Sequence, residues 1–223
     1  SKKFLFANLK KLGIKKNETV YFGLDLKNYF TPFLGFLSEN PKLINKNLLS
    51  KIFFENLKDY FLPKGTAIFQ SFTWSFIKNK KFNKNLNAPD TGTLEKYIFN
   101  KSGVSRSSHP INSIMSFGKN KKFITNNHGL FSFGANSPFD KFLKINLKFV
   151  NIGIPFENTC TYVHHLEQIN GTNHRFNKLV EGKIFVNKKY IKKNFFILVK
   201  FKEIDKRIKR DEKKFCDHLR RRK

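Results

Sequence analysis

The chain has 223 residues, of which 39% are hydrophobic and 28 are Phe, enough apolar material for one sizeable domain and too much for a disordered basic protein. No apolar run reaches the roughly 18 residues of a membrane-crossing helix, and residues 1–8 lack the apolar stretch and cleavage site of a secretory signal, so a cytoplasmic protein is expected. Lys and Arg number 44 against 16 Asp and Glu, a formal +28; this points to anionic partners, although the excess of Lys, Asn, Phe and Ile together also fits an AT-rich codon bias.

In chain order, residues 4–14 read as a helix carrying Phe4, Leu5, Leu9 and Leu12, stopped at Gly13. Residues 18–24 read as a first strand. Two helical patterns follow at 29–37 and 43–61, divided at Asn40-Pro41; the second carries Leu43, Ile44, Leu48, Leu49, Ile52, Phe53 and Leu57. Pro63-Lys64-Gly65 reads as a turn and 66–69 as a short buried strand. Helix, strand, helix, strand in this order predicts an α/β architecture. The Lys/Asn-rich run at 78–87 reads as a solvent-exposed surface insertion. A helix restarts over 91–99 with Thr91 or Thr93 as N-cap.

The segment 104–118 gathers Arg106, Ser107, Ser108, His109, Pro110 and Ser113 ahead of an apolar strand. Arg106 would fork onto a phosphate, with hydroxyls and backbone N–H groups closing around it; a hydrogen-bonded turn held by Pro110 is the competing reading. His128 reads as a surface histidine. Ser137 or Asp140 would cap a short helix through Leu143. Residues 148–154 read as a buried strand, followed by a loop with Pro155 and Asn158. Then comes Thr161-Tyr162-Val163-His164-His165-Leu166-Glu167-Gln168, which reads as a helix. His164 and Glu167 fall on one face, a proton acceptor with a carboxylate beside it near a strand end. A surface pair is the bland alternative. Cys160 and Cys216 make neither a disulfide scaffold nor a four-ligand zinc site, and no metal is expected. Strands near 183–186 and 195–201 would form a hairpin or sheet edge. The tail, 202–223, reads as a basic amphipathic helix with Ile204, Ile208, Phe215 and Leu219 on one stripe, packed on the domain of residues 1–201 or extending from it.

Taken together, Gly65-Thr66, Phe72-Thr73, Asp90-Thr91-Gly92-Thr93-Leu94, Arg106-Ser107-Ser108-His109-Pro110 with Ser113, Ser137-Pro138-Phe139 and Thr161-x-x-His164-x-x-Glu167 resemble the aminoglycoside 3-N-acetyltransferase family, from about Leu5 to Lys189. The resemblance implies a three-layer α/β/α sandwich with a central mixed sheet, acetyl-CoA as acyl donor and an amino sugar as acceptor. It also implies His164 as general base, with Glu167 orienting it or binding an ammonium group. Thr73, Arg106, Ser107, His109 and Ser113 would lie along the cofactor, and Asp90, Glu167 and Arg175 along the substrate. The His164-His165 stretch with His174-Arg175-Phe176 downstream looks most like members among surface-glycan biosynthesis genes, which implies a nucleotide- or lipid-linked amino sugar. Phe22-Gly23-Leu24-Asp25 departs from the His-Ser pair of many relatives, a common Pro is missing at Gln70-Ser71, and the chain stops earlier than relatives do. A basic nucleic-acid-binding protein without catalysis is the alternative, a sugar-binding relative without catalysis a third; a homo-oligomer is left open.

Overall fold

The computed structural model describes residues 2–35, 45–156, 159–205 and 211–221. Strands β1 (Thr19–Leu24), β2 (Thr66–Phe72), β3 (Lys81–Phe82), β4 (Ser105–Arg106), β5 (Asn112–Gly118) and β6 (Lys148–Ile152) precede a long pair, β7 (Arg175–Val186) and β8 (Lys189–Lys200). Five of them make a mixed sheet of order β4-β5-β2-β1-β6, in which β1 runs parallel to β2 and β6 while β5 is antiparallel to β2. A second sheet has the order β3-β7-β8.

Side-chain alternation on the central strands builds two cores. Val20, Phe22, Ala67, Phe69, Met115 and Phe117 point to one face. There they meet α1 (Lys2–Lys11), α2 (Leu26–Leu34), α3 (Lys46–Phe61) and α5 (Thr93–Ile98) through Leu5, Leu9, Phe30, Phe53, Leu57 and Ile98. Tyr21, Ile68 and Ile114 point to the other face, under α6 (Lys121–Thr125), the 3-10 helix Pro138–Lys144 and α7 (Tyr162–Ile169). Helices on both faces of a central mixed sheet are the layered α/β arrangement expected. Local signals set the helix ends. Gly13 takes φ +71 beyond α1, Asp25 caps α2 by accepting from Asn28 N at 3.1 Å, and Asn45 caps α3 by accepting from Leu48 N at 3.0 Å. Asn40-Pro41, Leu43 and Ile44 lie outside the described residues, as do Asn158 and Ile208.

Several boundaries differ from the sequence reading. The strand expected at 66–69 continues to Phe72, since Ser71 and Phe72 still pair with Ser113 and Asn112. The supposed surface insertion at 78–87 takes in the end of α4 (Phe76–Asn79) and all of β3, which pairs with β7 and buries Phe82 with Phe76, Val180, Ile184 and Phe195 in a third core. Neither Thr91 nor Thr93 caps α5; Gly92 holds that position at φ 78 with no side-chain bond. Ser137 does cap the 3-10 helix, accepting from Asp140 N. The expected pieces of a hairpin are parts of twelve-residue strands turned by Asn187 and Lys188, both at positive φ. In the tail, α8 (Lys202–Asp205) precedes α9 (Glu212–Arg221), which leaves Phe215 and Leu219 37% and 44% exposed. Among the described residues no helix is long and apolar enough to cross a membrane.

Candidate active site

Strand β6 lies beside β1, and the chain leaving it is pinned back to the sheet before α7 begins. Asn151 Nδ2 donates to Pro155 O at 3.0 Å and to Thr159 Oγ1. Gly23 on β1 admits this loop, because a Cβ there would stand 2.6 Å from Thr159 Oγ1 and 2.7 Å from Asn151 Oδ1. At this point of β1 the chain therefore has bare backbone with a threonine against it.

Helix α7 then sorts its two histidines. His165 is fully buried, accepts from Gly134 N at 3.1 Å through Nδ1 and stacks on Tyr162 at 5.2 Å. His164 is half-buried against the edge of Phe133, with Nδ1 2.7 Å from Glu167 Oε2. Glu167 also holds His174 Nε2 at 3.2 Å through Oε1 and Arg175 Nε at 2.8 Å through Oε2, the latter an ion-pair contact without hydrogen-bond alignment. Burial acts to raise the Glu167 pKa, but the His164 hydrogen bond and the Arg175 charge outweigh it and hold the carboxyl down at about 2. Glu167 is thus a fixed anion with both oxygens occupied. The i, i+3 spacing found His164 and Glu167. It missed His174, whose only signal was its place beside Arg175 at the start of β7.

The serine- and histidine-rich loop, expected along the cofactor, has its polar groups bonded within the fold. Arg106 is 6% exposed. Its Nε donates to Ser113 Oγ at 3.0 Å, Nη1 to Lys84 O at 3.3 Å and to Asn87 O, and Nη2 to Ser71 O at 2.9 Å and Thr73 Oγ1 at 2.6 Å. All five N–H groups are engaged, so none remains to fork onto a phosphate. Burial lowers its pKa to about 10, with Asp90 acting the other way. Ser107, His109 and Ser113 are likewise fully buried. His109 Nδ1 accepts from Ile111 N at 3.2 Å and Asn112 N at 3.1 Å, while Ser107 Oγ accepts from Ile114 N at 3.0 Å. His128, expected on the surface, is buried instead: its ring stacks on His109, with Nδ1 3.0 Å from Ser107 Oγ and Nε2 3.2 Å from Phe131 O. Asp90, expected at the substrate, accepts from Ser75 N at 2.6 Å and Ser75 Oγ at 3.0 Å. Arg175, also expected there, has a side chain only 7% exposed and faces Glu167.

What the clamp leaves open is a cleft of 380 Å³ beside it, bordered by Lys84, Asn85, Ser108, Ile184 and Phe185. Its mix of cation, amide, hydroxyl and aromatic groups suits an anionic, partly apolar ligand. Among the described residues no group of three or more His, Cys, Asp or Glu is placed to hold a metal ion.

Comparisons with known proteins agree with this architecture. The sequence profile of the family described as aminoglycoside 3-N-acetyltransferase matches residues 47–223. The fold is similar to that of the YokD protein from Bacillus subtilis (TM-score 0.70, 21% identity, 92% of this chain and 84% of that one). It is similar to AAC-VIa bound to sisomicin (TM-score 0.71, 18% identity, 89% and 76%) and to AAC-IIIb in a binary complex with CoASH (TM-score 0.70, 17% identity, 91% and 76%). No curated protein matches it by sequence.

Proposed function

The chain belongs to the aminoglycoside 3-N-acetyltransferase family, an acyltransferase family, and from that premise we propose that it moves an acetyl group from acetyl-CoA to an amino group of an amino sugar, with His164 as general base. The observation that carries this reading is the 2.7 Å contact between His164 Nδ1 and Glu167 Oε2. An ionised carboxylate only accepts, so Nδ1 carries the hydrogen and Nε2 presents its lone pair. Acetyl-CoA supplies the activated thioester carbonyl. His164 Nε2 takes the proton that the attacking amine sheds as the C–N bond forms, and returns it to the departing sulfur as the C–S bond breaks. Glu167 holds the ring in the productive tautomer and offsets the transient imidazolium charge, while His174 and Arg175 keep Glu167 ionised.

Since Arg106, Ser107, His109, Ser113 and Thr73 bond to one another and to the backbone, they support the loop rather than touch the donor. The cleft beside that loop fits the donor better: Lys84 offers a charge for a phosphate, Ser108 is exposed, and Phe185 gives an apolar wall. For the acceptor, the surplus of positive charge favours an amino sugar carrying phosphate, such as a nucleotide- or lipid-linked surface-glycan precursor made in the cytoplasm, over a polycationic antibiotic.

Isothermal titration with acetyl-CoA at low and moderate salt tests the donor, followed by acetyl transfer to UDP-glucosamine and to sisomicin. Binding that persists at moderate salt, with turnover favouring the phosphorylated sugar, is expected. No acetyl-CoA binding, together with RNA or DNA binding that falls steeply with salt, would replace this reading with the nucleic-acid one.

A further inference from the structure

The outer face of the β7–β8 hairpin sets like charges against each other. Lys183 and Lys192 are cross-strand partners, both exposed, and two ammonium groups so placed repel. Lys80 and Lys81, at the end of α4 and the start of β3, wall the same cleft, which measures about 480 Å³ and is also bordered by Leu179 and Glu181. Four lysines thus meet one carboxylate. Glu181 stands 3.7 Å from Lys192 with both side chains exposed, a contact that offsets little of the excess charge.

Glycine backbone lets α4 close this cleft. A Cβ on Gly182 would stand 2.3 Å from Phe76 Cζ and 2.9 Å from Lys80 O, so only bare backbone admits the end of α4 against β7. Lys80 turns the chain at φ 56, and its carbonyl accepts from Lys183 N at 2.7 Å. Strand β3 pairs with β7 at Lys183 and Ile184 and goes no further. Two residues earlier the Glu181 N–H points to the same side, and among the described residues no strand covers it. The cleft therefore offers a backbone donor besides its ammonium groups.

The next cross-strand pair on the same face is Phe185 with Tyr190, exposed rings 5.2 Å apart. Strand rise puts them about 7 Å from the lysine pair. On its other side the exposed Leu179 supplies an aliphatic floor. Ammonium groups between an aromatic pair and an aliphatic floor match a ligand with adjacent phosphates and a flat ring. The cationic stretch of the hairpin is one pair long, because Glu181 and Asn194 come next. That length holds two phosphates and gives no track for a single-stranded nucleic acid.

We propose that this cleft binds a nucleoside diphosphate, with its phosphates among Lys80, Lys81, Lys183 and Lys192 and its base against Phe185 and Tyr190. The site lies apart from the acyl-transfer site and does not depend on that activity. Two sources share this chemistry, a free nucleotide and the carrier of a nucleotide-linked amino sugar. Calorimetry on the full chain, with UDP, UDP-glucosamine and pyrophosphate as probes, tests it. Wild type should bind UDP at least threefold more tightly than pyrophosphate, and Tyr190→Ala should remove that preference. K183Q/K192Q, which alters exposed side chains only, should weaken UDP at least tenfold while acetyl-CoA affinity stays within twofold. UDP-glucosamine binding as tightly as UDP supports the site as a carrier seat; weaker binding supports it as a seat for free nucleotide. No UDP binding by wild type, equal affinity for UDP and pyrophosphate, or a UDP affinity unchanged in K183Q/K192Q overturns the proposal. Acetyl-CoA affinity falling in step with UDP gives the cleft to the donor and also overturns it. So does single-stranded RNA binding that K183Q/K192Q abolishes in a protein that ignores UDP.

Discussion

His109 and His128 lie ring on ring, 4.9 Å between centroids and 28° between planes, and both are buried. Burial lowers the His109 pKa to about 3; burial, and then the neighbouring His109, hold His128 well below its usual value. The unfolded chain binds these protons near pH 6.5 and the folded chain refuses them. Stability from this pair is complete above pH 6.5 and declines as pH falls toward 3, by about 1.4 kcal/mol per pH unit for each ring. Glu95 acts oppositely, because its raised pKa favours the folded state below 4.5 and that advantage disappears as pH rises to about 7. The melting temperature should therefore fall between pH 6.5 and 5, and fall more steeply in E95Q. A flat E95Q profile over that range would contradict a neutral histidine pair.

His164→Ala should reduce kcat by about two to four orders of magnitude, the usual worth of a general base, while leaving acetyl-CoA affinity unchanged. Glu167→Gln should lower kcat by about tenfold through loss of ring orientation. With its folded pKa at about 2, the Glu167 contribution to stability is present above pH 4.5 and lost as pH falls toward 2. Acid melts of wild type and E167Q, compared between pH 5 and 3, measure it.

Arg106→Ala takes their donor from the carbonyls of Lys84 and Asn87 and from the hydroxyls of Thr73 and Ser113, while Ser71 O keeps the hydrogen bond from Ser113 Oγ. Loss of a buried charged donor with several partners costs about 3–5 kcal/mol. Chemical denaturation should show that loss directly. A well-folded R106A that has merely lost acetyl-CoA affinity would restore the phosphate-binding role.

Gly118 sits at φ +102, and a Cβ there would lie 2.2 Å from Gly65 O and 2.9 Å from Thr66 Cα. Backbone cannot yield as a side chain can, so Gly118→Ala should cost more than about 2 kcal/mol, seen as a lowered denaturation midpoint.

Lys188 occupies φ 64 in the two-residue turn between β7 and β8, a region glycine enters without strain. Lys188→Gly should stabilise the chain by ~1 kcal/mol in the same measurement.

Elements with a local signal were legible. The strand at β1 follows from a short apolar run that is buried on both faces, and the pair on α7 from its i, i+3 spacing. Features fixed by distant partners were not. Phe82 gives no local sign that it enters a core, since β7 supplies that core a hundred residues later. Arg106 among serines reads equally well as a phosphate fork or a clamp. The choice is made by carbonyls of Ser71, Lys84 and Asn87, which no side-chain pattern reveals. His128 looked superficial for the same reason: its partners, Ser107 and His109, belong to another loop.

The pairing of Val20 with Lys148 sets an order of events for a growing chain. β1 leaves the ribosome early, yet one of its two parallel neighbours comes from the last strand of the central sheet. Until residues 148–152 emerge, that flank of β1 has an unfilled row of backbone donors and acceptors, and the chain between must close a long loop to fill it. His164 and Glu167 can approach each other within their own helix turn, but their seat on the sheet depends on this late closure. Recovery of activity after dilution from denaturant should accordingly lag behind recovery of helical signal.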